Sequence, residues 1–267
     1  MMPALELATG SLHAEMLGVH YIVNFTWIRD GADPPPCPCR PVDRFEDGDW
    51  SLELEAPQAA HGAALAWLAR HGGEMRDQFD QMVRYLRRAF PDGGARRLRI
   101  LVLPAGSRFD GSWTTFAVGD QGLPMTFARP LPGPSQAEDT SVARVMPVLA
   151  HEYAHSYFWF HRARYRNNFS DEVGAYTVER CLDAALFGAP YDELNGELQP
   201  FWGAVADLSP GALYAKYHAR YPDTYLAVFA AIHELREAER AAHGERKAGV
   251  RAYCESAPLS GRDFTTP

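Results

Sequence analysis

Apolar and polar positions along this chain fall into two regimes, short alternating or apolar runs mixed with helical spacing in the first half and helical spacing throughout in the second. Residues 19–28, Val-His-Tyr-Ile-Val-Asn-Phe-Thr-Trp-Ile, are β-branched and aromatic and read as a strand. From Gly31 to Asp49 the prolines Pro34, Pro35, Pro36, Pro38 and Pro41 predict a loop barred from a sheet interior. Trp50 to Glu55 alternates as a short strand. Residues 57–90 carry helical spacing in two pieces, broken at Gly72-Gly73, with Trp67, Phe79, Met82, Tyr85 and Leu86 as the buried positions. Leu98 to Leu103 is the clearest strand, and Trp113 to Val118 with Met125 to Ala128 reads as a hairpin around Gly119-Asp120-Gln121-Gly122.

After Ser141 the spacing is helical throughout. Pro147 either kinks a first helix or marks its first turn. A second helix, N-capped by Ser170 or Asp171, stops at Gly188 and Pro190. Further helices are predicted over 192–207, 211–221 and 222–243. The expected fold class is α+β: a mixed α/β lobe over 1–135 with a small, largely antiparallel sheet, then an all-α lobe over 136–255 and a disordered tail over 256–267.

Composition narrows the function. With 267 residues, 46% of them hydrophobic, the chain can bury a substantial core. Twenty-six basic against thirty-four acidic residues give a net charge of −8 without a basic stripe, which argues against nucleic acid or an anionic membrane as partner. No apolar run reaches the roughly 18 residues of a membrane span, and the first residues lack a continuous apolar segment, so a soluble, cytoplasmic protein is expected. A removed signal peptide would leave the same sequence. Four cysteines are too few for a disulfide scaffold. Cys181 reads as a core residue, whereas Cys37 and Cys39 are either free thiols of a loop or the source of a thiolate that caps a metal site.

The strongest chemical signal is His151-Glu152-Tyr153-Ala154-His155, an H-E-x-x-H run. On a helix, residues four apart lie about 40° apart in azimuth and about 6 Å along the axis, so both imidazoles can meet one metal ion. Glu152 then sits beside the ion without ligating it. Val142, Val145, Met146, Leu149, Tyr153 and Tyr157 form the apolar stripe of that helix, which is expected to be half-buried. Two candidates exist for a third ligand. His161 has the spacing of the metzincin pattern, but Phe158 stands where that pattern needs a glycine, and an unbroken helix turns His161 by about 240° from His155. Glu172 is the better candidate, because sixteen residues separate it from His155, enough to end one helix and begin another.

With Glu172, Ala175 and Glu179 the chain resembles the gluzincin metallopeptidases, whose second motif reads N-E-G-x-A-x-x-x-E. Asp171 replaces the usual asparagine and Gly174 is displaced by one position. The resemblance covers about fifty residues. It implies a zincin-like fold, zinc held by His151, His155 and Glu172, and Glu152 as general base for hydrolysis by a zinc-bound water. Glu179 shares a helix face with Glu172 and is either a residue that orients a ligating histidine or an ordinary ion-paired one. By the same resemblance, residues 125–129 form an edge strand that pairs with an extended substrate. The donor for a developing oxyanion is sought among Tyr176, Tyr214, Tyr217, His218, Tyr221, Tyr225 and His233, with Tyr217 and His218 first. The expected activity is peptide-bond hydrolysis with a peptide or protein as substrate. The rivals are a zinc hydrolase of a non-peptide amide and a non-catalytic module stapled by zinc.

Overall fold

The computed structural model describes residues 39–91, 96–103, 114–116, 125–130, 145–160, 168–188, 204–241 and 246–255. The strand expected at 19–28, the turn at 119–122, most of the helix at 192–207, His161 and the tail lie outside these residues. The chain divides into two compact units, residues 1–83 with 94–156, and residues 84–93 with 157–267.

The first unit is built on a five-stranded sheet of β1 (Cys39–Asp47), β2 (Trp50–Pro57), β3 (Arg97–Leu103), β4 (Thr114–Phe116) and β5 (Met125–Pro130), in the order β1-β2-β3-β5-β4. The expectation of a largely antiparallel sheet is corrected: β2–β3 and β3–β5 are parallel, and only the outer pairs β1–β2 and β4–β5 are antiparallel. Parallel neighbours need a crossover connection. Between β2 and β3 it is the 32-residue helix α1 (Gln58–Ala89). Along β2 and β3, Leu52, Leu54, Ala56, Leu98, Ile100 and Val102 are buried, and Glu55 pairs with Arg99 from the alternate positions. Alternation made β2 readable in the sequence, and β3 was readable as a short apolar run.

Two local expectations fail for identifiable reasons. The segment read as a proline-rich loop ends in a strand, β1, which hydrogen-bonds β2 back from a turn at Gly48, whose φ of 61° suits glycine. Proline is excluded from sheet interiors but not from edges or bulges. Among the described residues β1 is an edge, and its register slips between Pro41 and Asp43. Gly72 and Gly73 do not break α1 either. Each glycine costs a helix about 1 kcal/mol. Leu68, Met75, Phe79 and Met82 are buried on both sides of the pair, and their burial outweighs it. A Cβ on Gly72 would stand 3.4 Å from Leu68 Cγ, in van der Waals contact with it. Trp67, Phe79, Met82, Tyr85 and Leu86 are all buried, as their spacing predicted.

The described part of the second unit is mainly helical, with α3 (Asn168–Phe187), α4 (Pro210–Tyr217), α5 (Asp223–Ala241) and α6 (Arg246–Glu255). Its core gathers Phe169 and Val173 of α3, Leu213 of α4, and Leu226, Ala227, Phe229 and Ala230 of α5. α3 begins at Asn168, ahead of the expected cap, and ends at Gly188, whose φ of 56° and bond to the Ala184 carbonyl close the helix. Ser209 caps α4 through Ala212 N, with Pro210 in the first turn.

Cys181 is buried, as expected of a core residue, but it is also bonded to Cys254 of α6 across 73 residues. A loop of that size stabilises a fold by about 4 kcal/mol in the chain-entropy account. Cys39 is disulfide-bonded as well, so neither a free thiol nor a metal-capping thiolate describes it. Among the described residues no helix is long and apolar enough to cross a membrane.

Candidate metal centre

The H-E-x-x-H run lies on α2 (Val145–Phe160), with Pro147 in the first turn, where its missing N–H breaks no helical bond. Val145, Met146, Leu149, Tyr153 and Tyr157 are buried, and so are Val148, Ala150 and Ala154. The expectation of a half-buried helix is therefore too modest. His151 itself is only 7% exposed, while Glu152 and His155 are half-buried. Tyr153 fixes the rotation of the helix from its apolar side, its ring 5.4 Å from that of Trp50 at the start of β2.

That rotation points the two imidazoles at one another. Their Nε2 atoms are 3.0 Å apart, and the rings meet edge to face at 75°. Two nitrogens bound to a tetrahedral zinc at about 2.0–2.1 Å stand roughly 3.3–3.4 Å apart. The pair needs to open by only a few tenths of an ångström to take the ion. Glu172, in the second turn of α3, adds a carboxylate oxygen, and one ligand atom from each of His151, His155 and Glu172 lies within 4.8 Å of the others. Two imidazoles and one carboxylate form a donor set that suits zinc and leaves a tetrahedral position open. The residues present thus fit a divalent metal.

Glu152 follows His151 directly, on the half-buried side of α2. Gly174 and Ala175, which follow Glu172 on α3, are buried, so small residues stand where the helix is most closely packed. Glu179 is half-buried, its carboxylate 3.9 Å from the guanidinium of Arg180, which also faces Asp183 at 3.4 Å. Arg180 was not singled out from the sequence, although its i,i+3 spacing to Asp183 is a recognisable signal.

Tyr217 and His218 stand at the end of α4. Tyr217 packs against the core of the helical unit, with its ring 6.1 Å from that of Tyr221 and the Lys216 ammonium 5.1 Å from its centroid. His218 is exposed, stacks on Tyr214 and donates Nδ1–H to the Tyr214 carbonyl at 2.8 Å, which caps the helix. That contact commits its Nδ1–H to the helix end, whereas the Tyr217 hydroxyl is a donor in its ordinary form.

The placing of β5 overturns the expected substrate edge. Residues 125–129 are hydrogen-bonded on both sides, to β3 and to β4, so among the described residues the strand at that end of the sheet is β4. No protein-family model matches the chain, and no curated protein matches it.

Proposed function

We infer that the chain is a zinc-dependent hydrolase of gluzincin type, with a zincin-like order of mixed sheet, motif helix and glutamate helix, and that it cleaves peptide bonds. The observation that carries this reading is the convergence of His151, His155 and Glu172 within 4.8 Å, with Glu152 next in sequence to the buried ligand. A structural zinc has four protein ligands and no use for that glutamate, which favours catalysis over a stapled module. Zinc, when bound, supplies Lewis acidity and a water acidified towards a pKa of about 7. Glu152 takes the proton of the attacking water and returns it to the leaving amine, a task a ligating carboxylate would do less well. His151 and His155 give up their Nε2 lone pairs to the ion, and Tyr217 is the proposed donor to the developing oxyanion. An extended substrate would add to the sheet at β4, the strand that ends its order among the described residues.

The test is a panel of internally quenched peptides incubated with zinc-loaded protein, with and without a chelator. Cleavage that the chelator stops and zinc restores is the expected result. A panel left wholly uncut by the zinc-loaded chain would remove the peptidase reading and favour a small non-peptide amide as substrate.

A further inference from the structure

The helix that supplies the carboxylate ligand is covalently tied at its other half. Cys181 comes nine residues after Glu172 on α3, which is about 13 Å along the axis and half a turn round it. The bond to Cys254 therefore grips the flank of α3 turned away from the ligand, with the two Cα atoms 5.6 Å apart. Cys181 is buried, whereas Cys254 is half-buried near the end of α6, between residues of which Arg251, Ala252 and Glu255 are exposed. α6 has ten residues, fewer than the roughly 12–15 at which an isolated helix is even marginal in water. Its place against α3 and α5 depends on packing and on this one covalent link.

We propose that the Cys181–Cys254 disulfide is a redox control on metal affinity, a reading that rests on His151, His155 and Glu172 being a metal site. With the bond intact, α3 is clamped between α5 and α6, and the Glu172 carboxylate is held in position before the ion arrives. A dithiol or glutathione breaks the S–S bond by thiol exchange. Two electrons and two protons pass to Cys181 and Cys254, leaving two thiols, and the reductant leaves as its own disulfide. α6 is then held by packing alone, α3 gains freedom, and ordering Glu172 on the metal costs conformational entropy that the intact bond had already removed. The linkage is reciprocal, so bound zinc must favour the oxidised form by the same factor. An oxidising compartment keeps the site tight, and a reducing one loosens it.

The probe is zinc alone, with its dissociation constant read by competition with a chelating dye on the full chain. Cys254→Ser, in which the bond that involves Cys39 is untouched, is expected to bind on the order of tenfold more weakly than the oxidised wild type. The second measurement needs no variant. Wild-type chain is equilibrated in glutathione buffers at fixed free zinc, and the surviving Cys181–Cys254 bond is counted by mass spectrometry after alkylation. Zinc is expected to shift the midpoint towards more reducing buffers. An unmoved midpoint, or equal affinity in a folded Cys254→Ser, overturns the control while leaving the metal site standing. An oxidised wild type that takes up no zinc overturns both.

Discussion

Glu152→Gln is expected to keep its zinc and to lose turnover by on the order of 10²–10⁴-fold, the usual contribution of a placed general base. Glutamine preserves the shape and the hydrogen-bonding reach of the side chain but cannot hold the proton taken from water. His151, on the preceding residue, is buried and points its Nε2 at His155, so the ligand pair does not depend on the glutamate charge. Metal content by mass spectrometry beside the rate of peptide cleavage separates the two effects. A variant that keeps its activity would rule out the mechanism. A variant that loses metal with activity would make Glu152 a ligand rather than a base.

Glu172→Ala acts on binding instead. The two imidazoles remain, but the site loses the one carboxylate that meets them among the described residues, and with it one negative charge. Zinc affinity should fall by more than the roughly 10–100-fold that the loss of an outer hydrogen-bonding partner costs. Metal that binds the folded chain alone stabilises it by about 2.7 kcal/mol at a free concentration a hundred times its dissociation constant. Added zinc should therefore raise the melting midpoint of the wild type and leave that of Glu172→Ala nearly unchanged. Equal zinc-induced shifts would remove Glu172 from the site.

The site was more legible than the fold around it, for a physical reason. His151, Glu152 and His155 belong to a single helix, and helical geometry alone relates them. Glu172 was reachable because a helix start could be read near it, even though α3 begins two residues before the expected cap. β2, which alternates, and β3, a short apolar run, were also readable. Strand order was not, because residues 125–129 carry no local mark of whether β4 or solvent lies beside them. Gly72-Gly73 misled because propensity is a small local term, and burial of Leu68, Met75 and Phe79 is a larger one. The Cys181–Cys254 bond was missed because nothing local connects residues 73 positions apart. α6 was missed with it, as a short helix whose anchor lies elsewhere in the chain. Tyr217 and His218 were chosen for chemical type and for a segment bounded by Pro210 and Pro222, and their contacts at the end of α4 depend on packing that neither signal encodes.

The central claim is that two histidines one helical turn apart and a later glutamate hold one metal ion. Zinc K-edge absorption of the wild-type chain, loaded with one equivalent and dialysed, tests it most directly. The account predicts a retained ion with four nitrogen or oxygen ligands at about 2.0–2.2 Å, two of them with the outer-shell scattering of imidazole. Sulfur scattering at about 2.3 Å, or zinc lost on dialysis, would contradict it.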